Sequence, residues 1–392
     1  MSRVYFDNAA TTPINEQALA ALVEEARVLG NPSSLHTFGR NSRKDLETSR
    51  ERLAAIVGAH SSEIIFTSSG TEANNLALKG IFWKRRTENS RRNVVVISAF
   101  EHHAVLDPAQ WLAQFEGAEL IEIGVDKNGF LDVNKLEEIV TERNDEIALI
   151  SVMHSNNEVG TLQPISRVVE IAQPFSIPVH TDAVQSLGKV PLSFRDLGVF
   201  AMTLSAHKVG GPVGVGALIL KKGNDITPLL HGGGQEREIR SGTLNSPAAV
   251  AFAIAADDAI RNMERNSKKL LEYRATFIDR VMQKVEGAWL NGVRDGQTLP
   301  TIVNIGFPRT ESDALLLLFD SEGIACSTGS ACSAGVQQPS HVLRAMGLSE
   351  TQARSSLRFS FGAQNTEMDL DYFDSSLKRV IERAQAAYRS KP

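Results

Sequence analysis

A lysine stands at the end of a strand-like segment near the middle of the sequence. The apolar run 199–204 ends in the polar residues 205–208, the last of which is Lys208, and glycines separate them from a second apolar run at 217–220. Burying an ammonium group is costly, so such a lysine is paired, solvated in a loop, or kept neutral for amine chemistry. Taken alone, the segment favours a solvated loop lysine, and the choice depends on other parts of the chain.

A turn of small polar residues lies between a predicted strand and a predicted helix. It contains Ser68, Ser69, Gly70 and Thr71, so backbone N–H groups, hydroxyl groups and the positive end of a helix dipole meet at one point. Such a turn is suited to an anion such as phosphate. The alternative is that Ser69 or Thr71 only caps the helix. The turn lacks the lysine of the Walker motif, which disfavours nucleotide hydrolysis.

Asp182 follows another predicted strand, where a single carboxylate is ordinarily a cap or an ion-pair partner. Together with Lys208 and the anion turn, it predicts pyridoxal 5'-phosphate as a cofactor. This cofactor needs a lysine for its aldehyde, an anion site for its phosphate and a carboxylate that keeps its pyridine nitrogen protonated. His102 would then lie against the pyridine ring; otherwise it is a hydrogen-bonded histidine at a strand end. A zinc site is not expected, because the adjacent His102 and His103 diverge and no further ligand motif completes it.

The two cysteines of the chain have different surroundings. Cys332 lies in the loop 327–335, which is rich in glycine, serine and alanine and has no apolar periodicity. A cysteine in a polar loop is more typical of a nucleophile than of a packing residue. Cys326 follows an apolar segment and is expected to be a small buried hydrophobic residue. Arg358, inside a short predicted strand, suits either a substrate carboxylate or an internal ion pair.

These chemical groups are set in a repeated order of strands and helices. Segments with helical periodicity alternate with apolar runs at 63–66, 94–97, 120–123, 148–152 and 177–180. Because the runs are apolar throughout, we expect a mostly parallel sheet that is covered on both faces. In such sheets ligands bind beyond the carboxyl ends of the strands, which is where the polar residues described above stand.

A second region follows a long predicted helix from Ala248 to about Val285. Beyond this helix the pattern predicts further strands at 301–305 and 357–360, followed by a terminal helix. This arrangement is typical of a smaller α+β domain. The long helix is therefore the candidate domain boundary.

Composition limits the possible functions. The 392 residues are 42% hydrophobic and 22% charged, with a formal net charge of −5, as in ordinary globular proteins with about two domains. This charge gives no general field that would attract nucleic acid or an anionic membrane. The sequence predicts neither a signal peptide nor a membrane-spanning helix, and two cysteines are too few for a secreted disulfide framework. A cytoplasmic location is therefore expected.

The chain resembles the cysteine desulfurases, the group of class-V aminotransferases that feeds iron-sulfur cluster assembly. Over essentially the whole length, the resemblance is carried by segments 5–13, 70–72, 101–102, 156–160, 181–186, 205–208, 240–243, 329–332 and 356–360. It implies the α/β architecture of fold-type-I pyridoxal phosphate enzymes, which resemble aspartate aminotransferase. Their large domain contains a mostly parallel sheet of the seven-stranded type, and a smaller α+β domain is attached. The implied limits are 15–258 for the large domain, and 1–14 with 259–392 for the small domain that carries the cysteine loop.

The resemblance also implies the catalytic residues. Lys208 would form the covalent link with the cofactor, and Asp182 would be the partner of the pyridine nitrogen. His102 would stack on the ring and transfer protons. Cys332 would accept the sulfur.

Further positions would bind the cofactor and the substrate. Gln185 and Asn157 would flank the phenolic oxygen of the ring. Arg358 would bind the substrate carboxylate, helped by Asn157. Thr243 would reach the phosphate across the interface of a homodimer. The phosphate would otherwise be held by Gly70, Thr71, Ser205 and His207.

The implied activity removes sulfur from L-cysteine, releases L-alanine and leaves a persulfide on Cys332. An iron-sulfur scaffold or another acceptor protein would then take the sulfur. Selenocysteine lyase or aminotransferase activity on the same scaffold is an alternative that does not depend on a persulfide. A catalytically silent cofactor-binding protein is an alternative of another class, and the intact Lys208, Asp182 and Cys332 count against it. The expected partners are L-cysteine, a second copy of the chain and the acceptor, without nucleic acid, membrane or a resident metal.

Overall fold

The computed structural model describes residues 4–329 and 338–389. Its strands are β1 Val4–Tyr5, β2 Ile64–Thr67, β3 Val94–Ser98, β4 Glu119–Ile123, β5 Ile147–Ser151, β6 Val179–Asp182, β7 Ala201–Ser205, β8 Gly216–Leu220, β9 Trp289–Asn291, β10 Ile302–Gly306, β11 Ile324–Ala325 and β12 Ser356–Ser360. Its α-helices are α1 Glu16–Ala26, α2 Thr37–Ile56, α3 Gly70–Glu88, α4 His103–Glu116, α5 Val133–Arg143, α6 Ile165–Ala172, α7 Phe194–Leu197, α8 Ser246–Arg261, α9 Met263–Lys284, α10 Ser312–Ser321, α11 His341–Ala345, α12 Glu350–Arg354 and α13 Glu367–Arg389.

A seven-stranded sheet, counted over the described residues, organises the first part of the chain. Its strand order is β2-β8-β7-β6-β5-β3-β4. The strands from β7 to β4 in this order pair in parallel, whereas β8 runs antiparallel to both of its neighbours. The mostly parallel sheet predicted from the apolar runs is therefore confirmed.

Both faces of this sheet are buried, which explains why its inner strands do not alternate between apolar and polar residues. Along β3, Val94 and Val96 pack into one hydrophobic cluster, while Val95 and Ile97 pack into another on the opposite face. Successive side chains of a strand point to opposite faces, so every residue of such a strand has to be apolar. The helices α3 and α4 contribute to the second cluster, and α2, α5, α6 and α8 contribute to the first.

A smaller region is built around an antiparallel sheet of order β12-β10-β9. Its core is rich in phenylalanine, and Phe6 from the start of the chain packs edge-on against Phe361 with ring centroids 5.2 Å apart. The strand β1 pairs in parallel with β11, so the first described residues belong to this region. The α+β character of the second region agrees with the sequence, whereas the domain limits 15–258, 1–14 and 259–392 stay a prediction.

The long helix predicted from Ala248 to about Val285 is wrong in one respect, because the structure divides it into α8 and α9 at Asn262. The Asn262 side chain donates hydrogen bonds to the carbonyl and carboxylate oxygens of Asp258, at 2.9 and 3.0 Å. Such local side-chain bonds compete with the helical backbone and favour a helix end. None of the helices found in residues 4–329 and 338–389 is both long and apolar enough to cross a membrane.

Candidate active site

A cavity of about 440 Å³ opens at the carboxyl ends of the parallel strands. It brings together residues that lie more than 280 positions apart in the sequence, as expected for a ligand site in a sheet of this type. The predicted site residues that line it are Gly70, Thr71, His102, Asn157, Asp182, Gln185, Ser205, His207, Lys208 and Arg358.

Lys208 lies in a single 3-10 turn directly after β7. Its Nζ donates hydrogen bonds to the backbone oxygens of Ala9 and Ala10, at 2.5 and 2.8 Å. Burial, together with the charge of Arg358, lowers the pKa of Lys208 to about 8, although Asp7 and Asp182 oppose this shift. The solvated loop lysine that the segment favours by itself is therefore wrong, because β7 ends inside the cavity and carries Lys208 with it.

The anion turn caps helix α3 and also lines the cavity. Ser69 caps α3, its hydroxyl oxygen accepting from the N–H of Glu72 at 3.1 Å, and Gly70 and Thr71 line the cavity from the first turn of the helix. The turn packs closely against Gly216 of β8, where an added Cβ would lie 2.6 Å from the carbonyl carbon of Ser69. The backbone N–H groups of a helix N-terminus are thus directed at the same cavity as Lys208.

Asp182 ends β6 and is buried. Its Oδ2 accepts a hydrogen bond from Asn74 Nδ2 at 2.7 Å, and its Oδ1 accepts from the backbone N–H of Val184 at 2.9 Å. Each carboxylate oxygen has further lone pairs for a third donor. The carboxylate is therefore fixed in orientation and still able to bind an N–H group in the cavity.

His102 caps α4, since its Nδ1 accepts a hydrogen bond from the backbone N–H of Ala104 at 3.0 Å. Burial lowers the pKa of His102, and the charges of Lys208, His103 and His341 act in the same direction against Asp182. A neutral ring that accepts at Nδ1 carries its proton on Nε2. The hydrogen-bonded histidine expected at a strand end is thus present, and the same ring lines the cavity.

His207 and Ser205 line the cavity beside Lys208. Burial lowers the pKa of His207 to about 4, with Lys208 and Lys189 contributing in the same direction. His207 is therefore neutral at physiological pH. Its Nδ1 lies 3.3 Å from the hydroxyl oxygen of Thr11.

Gln185 and Asn157 present amide groups to the cavity. Gln185 Nε2 donates to the backbone oxygen of Ala9 at 2.9 Å. The Oδ1 atom of Asn157 is buried and has no hydrogen-bond partner among the described residues. Because leaving a buried polar atom unpaired is costly, this oxygen indicates a position for a ligand donor.

Arg358 forms the internal ion pair that the sequence left open as one of its two roles, and the substrate role stays a prediction. It extends from β12 and forms an ion pair with Asp7, with 2.8 Å between Nη2 and Oδ1. Its Nη1 donates to the backbone oxygen of Asn157 at 3.0 Å, while Nε is buried without a partner in the described part of the chain. The guanidinium group is thus anchored internally and still lines the cavity.

Several contacts of the site involve residues that the sequence did not single out. Asp7, the carbonyl oxygens of Ala9 and Ala10, and Asn74 hold Arg358, Lys208 and Asp182 in place. Asp7, Ala9 and Ala10 fall within segment 5–13, and this segment was the only available signal for them. A backbone carbonyl oxygen is present at every residue, so no residue type could have marked it.

Glu158 is another residue near the site that the sequence analysis included only as part of segment 156–160. It is buried, its Oε2 accepts from the hydroxyl group of Ser340 at 2.6 Å, and burial raises the pKa of its carboxyl group. A Cβ added to Gly329 would lie 2.6 Å from the same oxygen. Glu158 therefore contacts the described chain on both sides of residues 330–337.

Three further predicted residues have different outcomes. Cys332 lies outside the described residues, although Ser327 and Gly329 line the cavity just before it in the chain. Thr243 is exposed and does not line the cavity of its own chain. Cys326 is the buried hydrophobic residue that was expected, and burial raises the pKa of its thiol.

Known proteins of similar sequence and structure agree on one family. Residues 4–373 match the family described as Aminotransferase class-V. An IscS-like cysteine desulfurase of Mycobacterium tuberculosis is 45% identical over 383 residues, which are 98% of this chain and 97% of that protein. The solved structure of a NifS-like protein matches with a TM-score of 0.89 and 34% identity, covering 97% of this chain and 100% of that one. A structure described as SspA in complex with cysteine matches with a TM-score of 0.79 and 31% identity, covering 93% and 100%.

The chain belongs to the class-V aminotransferases and, within them, to the cysteine desulfurases. Enzymes of this family depend on pyridoxal 5'-phosphate. The family, the fold class and the cofactor that the sequence predicted are therefore confirmed.

The residues around the cavity fit this cofactor. The volume of about 440 Å³ is within the range of roughly 300–1,000 Å³ that small-molecule sites occupy. An added Cβ at Gly70 would lie 3.0 Å from Val184 and 3.3 Å from the Cβ of Ser205, so the absence of a side chain leaves the helix N-terminus open to a phosphate. The oriented carboxylate of Asp182 and the lysine of lowered pKa complete a set of groups suited to the cofactor.

Proposed function

We propose that this cysteine desulfurase removes sulfur from L-cysteine, releases L-alanine and holds the sulfur as a persulfide on Cys332. The observation that carries the proposal is the single cavity that joins Lys208, Asp182 and Arg358. The same cavity is lined by Gly329, three residues before Cys332 in the chain. Amine, carboxylate and guanidinium groups thus meet in one cavity, and the proposal adds the thiol of Cys332 to them.

The chain's own groups provide what the reaction requires. Bound in this cavity, pyridoxal phosphate supplies an electron sink that makes the α-proton of an amino acid removable. Lys208 has a pKa of about 8, so a useful fraction of its amine is neutral near physiological pH and able to act as a nucleophile or a base. Asp182 supplies a fixed negative charge for the ring nitrogen, and Arg358 offers its unpaired Nε and remaining N–H groups to the substrate carboxylate.

His102 is suited to proton transfer in this arrangement. Its Nδ1 is occupied by the Ala104 N–H, so the proton of the neutral ring stays on Nε2. The lowered pKa keeps the ring neutral at physiological pH. Its Nε2–H group can therefore donate a proton, and its Nδ1 atom can accept one when the contact with the Ala104 N–H group is released.

In the proposed sulfur-transfer step, a sulfur atom passes from L-cysteine to the side chain of Cys332. The thiolate of Cys332 attacks the sulfur of L-cysteine, so that an S–S bond forms and the C–S bond of the substrate breaks. The electron pair of the broken bond stays with the carbon skeleton, which takes up a proton and leaves as alanine. No outside oxidant is needed, because the sulfur atom passes from one cysteine to the other as the carbon is reduced.

The proposal includes two protein partners and a location. An iron-sulfur scaffold or another acceptor protein takes the sulfur from Cys332. A second copy of the chain forms a homodimer, in which the exposed Thr243 reaches the phosphate bound by the other protomer. The reducing cytoplasm, where thiols persist, suits a catalytic cysteine.

One assay separates desulfuration from the other reactions of this scaffold. The purified protein is incubated with L-cysteine and a reductant, and sulfide and alanine are measured together. We expect equal amounts of both products from the wild type, and loss of both from Lys208→Ala and from Cys332→Ala. Cys326→Ala is the matched control and should keep the activity. Unchanged sulfide release from Cys332→Ala would contradict the persulfide, and amino-group transfer without sulfide would indicate an aminotransferase.

A further inference from the structure

A second lysine lies next to the site and has no role in the chemistry described above. The Nζ atom of Lys189 donates a hydrogen bond to Gln185 Oε1 at 2.9 Å. Burial lowers the pKa of Lys189 to about 7, and the charges of Lys208 and Arg358 act in the same direction. Within residues 4–329 and 338–389, Lys189 forms no ion pair with a carboxylate. A desolvated amine without a counterion is costly to keep, so the hydrogen bond to Gln185 has to offset part of that cost.

This contact determines which way the amide of Gln185 faces. Lys189 is the donor in the observed bond, and the ammonium form of a lysine offers only donors, so the amide oxygen of Gln185 is the end that faces it. The opposite end of the amide, Nε2, donates to the backbone oxygen of Ala9 at 2.9 Å. That same oxygen accepts from Lys208 Nζ at 2.5 Å. The N–H end of the amide is therefore the end that lies beside the cofactor lysine.

The backbone of Lys189 is held by contacts that do not involve its amine. Gly188, with a φ of +70°, packs so closely on α8 that an added Cβ would lie 2.6 Å from the Cβ of Ala259. The hydroxyl group of Ser267 donates to the backbone oxygen of Lys189 at 2.7 Å. Replacing the amine should consequently leave the path of the chain unchanged.

We propose that Lys189 is a positioning residue for the cofactor, which acts by fixing the amide of Gln185 with its N–H group toward Lys208. The proposal rests on the assignment of Gln185 to the phenolic oxygen of the ring. An amide in the opposite orientation would present its carbonyl oxygen to that acceptor, and two acceptors repel each other. Lys189 disfavours this orientation, because its ammonium group would then face the amide N–H group, and two donors cannot pair.

The test uses cofactor binding and its spectrum in the absence of L-cysteine. The variants are Lys189→Met, Lys189→Arg, Gln185→Ala and the double variant Lys189→Met with Gln185→Ala. The dissociation constant of pyridoxal phosphate is measured by titrating the cofactor-free proteins. The pH midpoint and the wavelength of the visible absorption are measured on the loaded proteins. Lys268→Met, at an exposed position of α9, is the matched control for removing a nearby lysine.

We expect Lys189→Met to weaken cofactor binding about tenfold, the effect of one charge-assisted hydrogen bond, and to shift the pH midpoint. Lys189→Arg should restore most of both values, because arginine also offers only donors. In the Gln185→Ala background, Lys189→Met should add little, since a residue that acts through another loses its effect when that residue is gone. Additive effects in the double variant, or a Lys189→Met spectrum equal to that of the wild type, would overturn the proposal. Because no substrate is present, these results are independent of whether the enzyme forms a persulfide.

Discussion

The cavity has two sides that are built in different ways. The cofactor side comprises Asp182, Gln185, Ser205 and Lys208, which belong to β6, β7 and the turns directly after them. Adjacent parallel strands of one sheet therefore place these groups together. The carboxylate side instead joins segments that are far apart in the chain.

The carboxylate side comprises Asp7, Asn157 and Arg358, which come from the first residues, a loop of the large sheet and β12. It exists only where the smaller region meets the large sheet. The difference suggests that cofactor binding and substrate binding can be disturbed separately. A substitution on the first side should alter cofactor chemistry, and one on the second side should alter the affinity for L-cysteine.

The largest effect is expected from Asp182→Asn on the cofactor side. The substitution keeps the shape but removes the charge that we propose faces the ring nitrogen, so the rate of alanine formation should fall about 100- to 1,000-fold, as when a preorganised electrostatic group is lost. Asn74→Ala removes only the 2.7 Å bond to the same carboxylate and should have a smaller effect. If Asp182→Asn retained most of the wild-type rate, the assigned role of the carboxylate would be wrong.

Arg358→Lys should affect the carboxylate side alone. Lysine keeps the charge but not the planar fork of donors, so the KM for L-cysteine should rise about 10- to 100-fold, in line with one charged hydrogen bond. The visible spectrum of the bound cofactor should stay that of the wild type. Arg379→Lys, whose exposed guanidinium group pairs with the half-buried Glu322 away from the cavity, is the control. A changed spectrum with an unchanged KM would show that the two sides are not separable in this way.

The smallest effect concerns the stability of the cofactor-free protein. The pKa of Lys208 falls to about 8 in the folded state, below its usual value of about 10.4 when unfolded. The unfolded chain therefore binds more protons between these values, and folding becomes more stable as the pH rises through this window. Between pH 7.5 and 9.5 the wild type should gain about 1–2 kcal/mol relative to Lys208→Met.

Melting temperatures of both cofactor-free proteins at the two pH values measure this difference. Lys378→Met, whose lysine side chain is exposed on α13, should behave like the wild type. A gap between wild type and Lys208→Met that stays constant with pH would contradict the lowered pKa.

The same difference explains what could be predicted from the sequence. Strand β7 and the turn after it could be identified because an apolar run, polar residues and glycines follow one another locally. Asp182 and the anion turn could be joined to Lys208 because the carboxyl ends of parallel strands share one edge. The mostly parallel sheet, Lys208, Asp182 and the anion turn followed from these local patterns, whereas Gln185, Ser205 and the fold class entered only through the family resemblance.

The carboxylate side was less predictable because its determinants are long-range. The ion pair of Arg358 with Asp7 joins positions at opposite ends of the chain, and no local periodicity indicates such a contact. The carbonyl oxygens that hold Lys208 carry no signal of residue type. The break between α8 and α9 at Asn262 depends on one side chain that competes with the helical backbone for hydrogen bonds. The spacing of apolar residues carries no information about such a bond.

The pairing of the first described residues with β11 and β12 has a consequence for the order in which the regions fold during synthesis. The strands of the large sheet lie between residues 64 and 220, so that sheet can form while the rest of the chain is still on the ribosome. Asp7 pairs with Ser360, and the carbonyl oxygens of Ala9 and Ala10 reach Lys208 only when the first residues are held by this late partner. We therefore expect nascent chains that end before β12 to contain a folded sheet but to bind pyridoxal phosphate weakly. Residues 7–10 are thus synthesised before the large sheet and reach their final positions after it.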